Sequence, residues 1–223
     1  MSKIKMFEGI FKNFNKGNFN NNIFTSSFWI KRETKRIKSY IKLKPHKLNI
    51  SRDYPLLVAS SILFDSKKTL KIVDYGGGFG KGYLSVSKGL IGIKKLKYFI
   101  VDIPEVCKAA KKIFQKDKRI IFYTNMPKID KCDIIHIGST LQYIDNWKKA
   151  ISNICKIKTK YLIFSDLIAG NIKTFVTLQK FNELKMSFRF ININEIISFV
   201  KKLGFTPVLR NDFEIFVKNK PLN

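Results

Sequence analysis

The stretch IVDYGGGFGKGY, residues 72–83, decides the fold, because an apolar run of strand type ends in an acidic residue and continues directly into glycines. Read as D-x-G-x-G-x-G, it places Asp74, Gly76, Gly78 and Gly80 in register. Glycine suits these positions because a sharp turn, the approach of backbone N–H groups to a ligand and tight helix packing leave no room for side chains. The spacing predicts a strand, a loop that holds a small nucleoside cofactor, and a helix. The carboxylate of Asp74 is expected to face the same crevice.

Two other glycine-rich fingerprints do not fit the same residues. The dinucleotide pattern G-x-G-x-x-G would need glycine at 81 or 85, where the chain has Lys81 and Ser85. The phosphate-binding pattern G-x-x-x-x-G-K-[ST] accepts Lys81 after Gly80, but Gly82 stands where serine or threonine is required. A simple turn with no ligand is the alternative interpretation of these glycines.

A second strand with an acidic end follows at YFIVDIPEV, residues 98–106. Its apolar run ends in Asp102, and the chain between Asp74 and Asp102 is long enough for one crossover helix between parallel strands. Pro104 suits the first turn of the next helix, and Glu105 favours its positive end. A carboxylate at this strand tip can accept hydrogen bonds from both hydroxyl groups of a ribose. The alternative role is a helix N-cap, and both roles can coexist.

Segments of strand type and helix type alternate along the rest of the chain. Strands are predicted at 70–74, 98–102, 120–123, 133–137 and 161–165, and helices at 53–64, 80–90, 104–115 and 142–156. Nearly continuous apolar strands joined by helices are typical of a parallel sheet covered on both faces. A helix at about 194–203 and two short runs at 206–210 and 213–218, with a two-residue turn between them, predict a final antiparallel hairpin.

Two segments fall outside this alternation and are expected to cover the crevice. Residues 1–52 form a polar, basic N-terminal arm or cap without a sustained period, whereas 53–223 form the main domain. The second segment, 167–193, is an insertion whose apolar residues recur at spacings of three and four, which predicts one helical face packed as core. Since both can lie over the strand ends, we expect substrate choice to reside in them.

Length and composition limit the remaining possibilities. At 223 residues and 45% apolar content, the chain is expected to form one ordinary domain with a full core. Three cysteines without C-x-x-C spacing, isolated carboxylates and only two histidines predict neither a disulfide framework nor a metal site. No apolar run approaches the roughly 18 residues of a membrane-spanning helix, and the N-terminal apolar patch is too short for a signal peptide. A reduced, cytoplasmic setting is therefore predicted.

The formal net charge of +27 raises the question of a polyanionic partner. Only six of the 43 basic residues are arginine, however, whereas phosphate and base recognition favours arginine. The abundance of Lys, Ile, Asn and Phe is also what a strong A+T codon bias produces. Nucleic acid is thus a possible but not a favoured partner, and an acidic substrate or an anionic membrane surface explains the charge equally well.

These motifs resemble those of the class I S-adenosylmethionine (SAM)-dependent methyltransferases. DYGGGFG (74–80) is similar to the first motif of that family, and Asp102 to its ribose-binding acid. The resemblance implies SAM as the cofactor. It also implies an α/β fold, namely a Rossmann-like three-layer sandwich whose mostly parallel, seven-stranded sheet carries a C-terminal antiparallel strand.

Narrower resemblances concern the acceptor. VDIPEV and the following YTNMP are similar to segments of small-molecule O-methyltransferases, and this match implies that Asn125 and Met126 flank the adenine; a turn residue and a core residue are their alternative roles. FEGIFKNF, SRDYPLLVAS, STLQYIDNW and FVTLQ resemble a family of uncharacterised bacterial proteins assigned as methyltransferases and often linked to surface-polysaccharide loci. A small polar acceptor, such as a saccharide or its activated precursor, is therefore expected.

Transfer to a hydroxyl group calls for a base that takes the acceptor's proton. In the small-molecule O-methyltransferases this base is a histidine just after the fourth strand, and the match places Gln142 there, which cannot act as a base. Asp166, at the carboxyl end of the fifth predicted strand, is the first choice for a carboxylate base, with capping of the next segment as its alternative role. His136 lies within the fourth predicted strand and is interpreted as a buried, hydrogen-bonded histidine in preference to a catalytic one.

Several polar residues complete the predicted site. Tyr143, Asn171 and Gln179 are candidates for orienting a sugar or another polyol by hydrogen bonds. Ser139, which follows the fourth predicted strand, is a candidate cofactor ligand. His46 lies in the basic arm and is expected to be solvated.

Two other functions stay open from the sequence. The charge suggests an RNA methyltransferase, although HIGS (136–139) lacks the N/D-P-P-Y/F loop used to methylate amino groups of bases. A non-catalytic, SAM-binding regulatory protein would also combine an intact cofactor loop with a missing base.

Overall fold

A five-stranded parallel sheet forms the centre of the computed structural model, which describes residues 6–14, 23–48, 53–181 and 184–211. Numbered in chain order, the strands are β2 (Leu70–Tyr75), β3 (Leu96–Val101), β4 (Ile120–Tyr123), β5 (Ile134–Gly138) and β6 (Tyr161–Ser165). Their spatial order is β4-β3-β2-β5-β6. All five predicted strands are confirmed, because long apolar runs leave little choice of conformation to a strand that is buried on both faces.

Helices cover both faces of this sheet. They are α1 (Ser27–Lys42), α2 (Tyr54–Leu63), α3 (Lys81–Gly89), α4 (Pro104–Ile113), α5 (Trp147–Ile154) and α6 (Ile193–Lys202). Ile72 and Tyr98 point to the face that carries α2, α3 and α4, whereas Val73 and Phe99 point to the face that carries α5 and α6. The predicted Rossmann-like, three-layer architecture is therefore confirmed.

Local sequence explains where several helices begin. Pro55 and Pro104 occupy the first turns of α2 and α4, where a missing backbone N–H costs nothing. The side chains of Ser26 and Asn146 cap α1 and α5 by accepting backbone N–H bonds. The helix predicted over 142–156 is shorter than expected, because a separate 3₁₀ turn precedes it.

A second sheet combines the N-terminal segment with the insertion. Its strands are β1 (Phe7–Phe11), β7 (Ala169–Gly170), β8 (Phe175–Phe181) and β9 (Leu184–Asn192), in the order β1-β8-β9-β7. Strand β8 pairs antiparallel with both β1 and β9, whereas β7 runs parallel to β9. The two segments that were expected to cover the crevice thus meet in one sheet.

The helical face predicted within 167–193 is wrong, because this insertion forms the β8–β9 hairpin. Val176 and Thr177 in β8 and Ile191 in β9 are β-branched, and such residues favour a pleated surface. Phe175 lies opposite Phe190, and their rings stack with centroids 5.0 Å apart. Cross-strand aromatic pairs of this kind stabilise a hairpin more than the apolar spacing stabilises an isolated helix.

The predicted C-terminal hairpin does not form in the part of the chain that the structure describes. Residues 205–211 follow α6 without strand structure, and Val208 and Leu209 are exposed among the described residues. The predicted second arm, 213–218, lies outside the described residues. The central sheet of the described residues therefore has five strands, fewer than the seven predicted.

Candidate functional site

A cavity of about 950 Å³ opens at the carboxyl edge of the parallel sheet. The chain segments that follow β2, β3, β4, β5 and β6 all contribute to its lining. The strand order reverses direction at β2 and β5, and ligands of open α/β sheets bind outside the carboxyl ends of strands at such a switch point. Among the predicted residues, the cavity is lined by Asp74, Gly76, Gly78, Asp102, Asn125, Met126, His136, Ser139, Tyr143 and Asp166.

The three motif glycines among the four glycines of the loop after β2 have three different surroundings. A Cβ atom at Gly76 would collide with the side chain of Thr140, and one at Gly80 would lie 3.0 Å from Ile120 Cδ1 in the core. At Gly78, where φ is +56°, a Cβ atom would meet no described atom within 4 Å. Gly80 therefore packs α3 against the sheet and does not line the cavity, whereas Gly78 leaves space open within it.

Asp102 ties the tip of β3 to this loop. Its Oδ2 accepts the N–H of Gly78 and its Oδ1 accepts the N–H of Ile103, both at 2.8 Å. Burial raises the pKa of Asp102, and the two N–H donors act in the opposite direction. The N-cap residue of α4 is Ile103 and not Asp102, which accepts the N–H of that N-cap residue from the position before it, so the alternative role of Asp102 as the N-cap is wrong. Each carboxylate oxygen keeps a second lone pair for another donor.

A chain of buried polar side chains crosses four strands beneath the loop. The hydroxyl of Tyr98 donates to Asp74 Oδ2 at 2.6 Å, and His136 Nδ1 lies 2.8 Å from Asp74 Oδ1. On its other side, His136 Nε2 lies 2.7 Å from Ser165 Oγ. Each of the four residues is less than 5% exposed. His136 is thus a buried, hydrogen-bonded histidine, as its place within an apolar strand indicates.

The charges in this chain shift the pKa values of its members. Burial lowers the pKa of His136, but the adjacent Asp74 carboxylate outweighs burial, and the net effect is a pKa above the usual histidine value. For Tyr98, burial and the same carboxylate act together and raise the pKa well above its usual value. At neutral pH Tyr98 is therefore a neutral donor.

The ends of β5 and β6 carry two residues with an uncommon backbone conformation. Ser139 and Asp166 have φ values of 49° and 50°, in the left-handed region that side chains disfavour, and both line the cavity. The N–H of Ser139 donates to the carbonyl of Ser165 at 2.9 Å, which holds the two strand ends together. Strained backbone of this kind persists where the surroundings enforce it, and it clusters at functional sites.

Gln142 is not a group that an acceptor can contact, and its assignment as a catalytic residue is wrong. It is 1% exposed and does not line the cavity. Its Nε2 donates to Ser139 Oγ at 3.1 Å, while its Oε1 has no partner among the described residues. The 3₁₀ turn that carries Gln142 directs its amide beneath the end of β5, where the amide contacts the side chain of Ser139.

Tyr143 connects the cavity to the second sheet. Its hydroxyl donates to Oε1 of Gln179 in β8 at 3.0 Å, and its ring packs edge-on against Phe24 and Phe188. Gln179 thus lies behind Tyr143 and does not line the cavity itself. Asn171 is exposed and also lies outside the lining, and His46 is exposed as predicted.

The inner face of α1 was not anticipated from the sequence. Trp29, Glu33, Arg36 and Tyr40 line the cavity, and Glu33 is 5% exposed and paired with Arg36 at 2.7 Å. Their spacing of three and four residues is the signal of one helical face. Two charged residues on this face, buried Glu33 and the more exposed Arg36, hid that signal from a prediction based on apolar residues alone.

Among the described residues, no group of three or more His, Cys, Asp or Glu side chains could hold a metal ion. No described helix combines the length and the apolar character that a bilayer crossing requires. The three cysteines form no disulfide with one another.

Comparison with known proteins identifies the fold. No family model and no curated protein matches the sequence. Among solved structures, 1,6-didemethyltoxoflavin-N1-methyltransferase of Burkholderia thailandensis, with bound 1,6-didemethyltoxoflavin and S-adenosylhomocysteine (SAH), has a TM-score of 0.55 at 14% identity, covering 83% of this chain and 80% of that one. A second match is the complex between the Haloferax volcanii Trm112 methyltransferase activator and a protein described as a methyltransferase. Its TM-score is 0.58 at 13% sequence identity, and the match covers 87% of this chain and 81% of that one.

Human N-acetylserotonin methyltransferase in complex with SAM has a TM-score of 0.53 at 14% identity, covering 86% of this chain. The chain spans 55% of that protein's length. At such identities the likeness shows the fold alone. The chain therefore has the fold of the class I SAM-dependent methyltransferases.

Proposed function

We propose that this chain is a SAM-dependent methyltransferase that modifies a hydroxyl or similar group of a small polar acceptor. The observation that carries the proposal is the contact between Asp102 and Gly78. This contact holds the Asp102 carboxylate, whose oxygens can each accept a further hydrogen bond, beside the N–H of Gly78. It also places the carboxylate next to open space that a side chain at Gly78 would fill. SAM and SAH bound to two of the matching structures support the same cofactor.

The residues of the cavity suit each part of that cofactor. Asp102 would accept the ribose hydroxyl groups, and Asn125 and Met126, which follow β4, would flank the adenine. The loop at Gly76 and Gly78 would approach the remainder through its backbone. When bound, SAM supplies an electrophilic methyl group. The chain's own contribution is then to align the acceptor with that group and to exclude water, and such positioning is worth several kcal/mol.

For the acceptor we propose a saccharide or its activated precursor. Tyr143 presents a ring and a hydroxyl near the cavity, and Phe24 and Trp29 add two more aromatic surfaces. Ser139 and Asp166 offer polar groups at the strand ends. Sugar rings combine apolar C–H faces with hydroxyl groups, so a lining of aromatic faces and a few polar groups suits them.

We also retain the proposed division of the chain. Residues 53–223 would bind the cofactor, while the arm at 1–52 and the insertion at 167–193 would select the acceptor. The pairing of β1 with β8 supports this division, because it joins the two segments next to Tyr143. A cytoplasmic location follows from the proposed small acceptor and is likewise a proposal.

The decisive experiment is calorimetric titration with SAM and SAH, followed by a radiolabelled-methyl screen of sugar nucleotides, glycans and RNA. We expect binding of both nucleosides and label in the saccharide fraction. Binding without label in any fraction would favour a non-catalytic regulatory protein, and label in RNA would favour an RNA methyltransferase. Absence of SAM binding would overturn the proposal.

A further inference from the structure

Transfer to a hydroxyl group leaves a proton to be accepted, and the structure contains a hydrogen-bonded chain suited to this task. Ser165 ends β6 at the cavity, His136 lies beside it on β5, and Asp74 lies beyond His136 on β2. The two contacts that join them measure 2.7 and 2.8 Å. All three residues line the cavity while they stay at least 96% shielded from solvent.

This arrangement is costly as a purely structural device. A carboxylate taken out of water loses solvation that hydrogen bonds recover only in part. Three apolar side chains of similar volume would hold three parallel strands together without that cost. The chain keeps a buried acid and a titratable ring directly below the cavity, which is the arrangement expected of a group that gains and loses a proton during function.

We propose that Ser165, His136 and Asp74 act together as the proton acceptor of methyl transfer. Ser165 is the catalytic residue because its hydroxyl contacts the acceptor, whereas His136 and Asp74 are positioning residues that act through it. This inference rests on the proposed function and deepens it. It replaces the direct carboxylate base for which Asp166 is the first choice from sequence.

A lone pair of the acceptor oxygen forms a bond to the methyl carbon, the carbon–sulfur bond breaks, and its electron pair stays on sulfur as the thioether of SAH. The acceptor's proton moves to Ser165 Oγ while the proton of Ser165 moves to His136 Nε2. Ser165 ends neutral and His136 ends as an imidazolium beside the Asp74 carboxylate, until its proton returns to solvent through the open cavity.

The charges around His136 favour this direction of transfer. Asp74 faces it from β2, and Tyr98 on β3 donates to the far oxygen of the same carboxylate. The carboxylate of Asp53, just before α2, raises the pKa of His136 by a smaller amount, and Asp53 is itself paired with Lys81 at 3.0 Å. These carboxylates raise the pKa of His136 against the effect of burial. Only neutral His136 can take the proton, so the rate should increase as pH rises through that raised pKa.

Nuclear magnetic resonance tests the relay without an acceptor. The chain has two histidines, His136 and the exposed His46. In SAH-saturated protein we expect the midpoint of the His136 signal to lie above the usual histidine pKa, and Asp74→Asn to lower that midpoint. A His136 signal that does not titrate between about pH 5 and 9, or an unchanged midpoint in Asp74→Asn, would overturn the proposal.

Methyl transfer from radiolabelled SAM to the small-molecule fraction of a cell extract tests the catalytic role of Ser165. Ser165→Ala should lower kcat by about 100-fold or more with unchanged SAM affinity, and Ser165→Thr should restore part of it. Asp74→Asn should move the acid limb of the pH–rate profile to lower pH. The matched control is Ser60→Ala, which removes a buried hydroxyl outside the cavity that has no partner among the described residues.

The outcomes separate the two proposals. Wild-type rate and pH profile in Ser165→Ala, together with inactivity of Asp166→Asn, would overturn the relay and leave the methyltransferase proposal intact. Failure of the wild-type protein to bind SAM would overturn the proposed function, whatever the histidine titrations show. Circular dichroism of each variant checks that it folds.

Discussion

Gly78 and Gly92 have the same backbone requirement and different surroundings, which makes them a matched pair. Both have positive φ, and a Cβ atom at either would meet no described atom within 4 Å. Only Gly78 lines the cavity; Gly92 lies in the turn before β3, at the other edge of the sheet. We expect Gly78→Val to abolish SAM binding in calorimetry, because the side chain fills the cofactor's space.

Gly92→Val is the control for the strain that both substitutions introduce. The left-handed backbone costs about 1–2 kcal/mol with a side chain present, so both variants should lose similar unfolding free energy. Gly92→Val should keep wild-type SAM affinity. Normal binding by Gly78→Val would show that the glycine loop is not the cofactor site.

Asp102 gives a second prediction for a single side chain. Asp102→Ala should weaken SAM binding by about 1–3 kcal/mol, the usual loss for a hydrogen bond to a charged group. Calorimetry measures the change, with Asp65→Ala as the control, because Asp65 precedes β2 at the opposite edge of the sheet. Unchanged affinity in Asp102→Ala would remove this carboxylate from the cofactor site.

Sequence reasoning was most successful where one residue's role follows from its immediate neighbours. Gly78 and Asp102 could be placed at the edge of the sheet where the cavity lies, because each follows an apolar run that predicts a strand end. The partners of His136 could not, because they lie on β2 and β6, and their contact depends on the register between strands. Gln142 was misassigned for a related reason, since a one-turn difference in the loop decides whether a side chain enters the cavity or lies beneath it.

At the level of whole elements, burial explains which predictions held. The five strands of the central sheet lie between helices on both faces and are largely apolar, although β4 and β6 at the edges are only partly buried, so their composition alone identifies them. The second sheet is half-exposed and mixes lysines with aromatic residues, and its spacing fits a helix and a hairpin equally well. The choice between the two is made by pairing with β1, which lies far away in sequence.

The second sheet allows a prediction about stability. Phe188 on β9 is 3% exposed and packs against Phe7, Tyr143 and Phe190, so Phe188→Ala should lower the unfolding free energy by about 3–5 kcal/mol. Ile10 on β1 of the same sheet is 78% exposed, and Ile10→Ala should change it by less than about 0.5 kcal/mol. Urea denaturation measures both. Equal effects would mean that Phe188 does not anchor this sheet.

The contact between β2 and β5 through Asp74 and His136 makes stability depend on pH. The folded pKa of His136 lies above the unfolded value, so the pair's contribution is fully present below about pH 6.5 and is lost as pH rises through the folded pKa. Urea denaturation across this range should show that wild-type protein loses unfolding free energy relative to His136→Gln. His46→Gln is the control and should follow the wild type. If the unfolding free energies of wild type and His136→Gln change in parallel with pH, the raised pKa of His136 is contradicted.

At the scale of the whole molecule, the cavity is built from parts far apart in the chain. The parallel sheet supplies the floor, and α1 supplies Trp29 and Tyr40 to one wall. The β8–β9 hairpin supports Tyr143 from behind. Each part was visible in the sequence as a segment, but their meeting depends on packing between the arm and the insertion. For this reason the acceptor is harder to infer from the sequence than the cofactor, whose proposed site lies at the ends of the neighbouring strands β2 and β3.

The net charge of +27 yields a prediction for the molecule as a whole. Lys31, Lys35, Lys38 and Lys42 share the exposed face of α1, opposite its cavity-lining face, and form a basic stripe along the helix. A control set of exposed lysines lies at the other edge of the sheet: Lys67, Lys68, Lys94 and Lys95. If the charge is spread over solvated faces, replacing either set by alanine should weaken tRNA binding equally.

Fluorescence anisotropy with tRNA at several salt concentrations measures this. We expect weak binding to tRNA that falls steeply as the salt concentration rises. The slope of log binding constant against log salt concentration should decrease by similar amounts in both four-lysine variants. The decrease should be at most about 0.9 for each phosphate that is no longer neutralised. No methyl label should enter the tRNA. A loss of binding confined to the α1 variant, together with labelled tRNA, would instead identify α1 as an RNA-binding surface and RNA as the acceptor, because a charge spread evenly over the protein cannot distinguish the two sets.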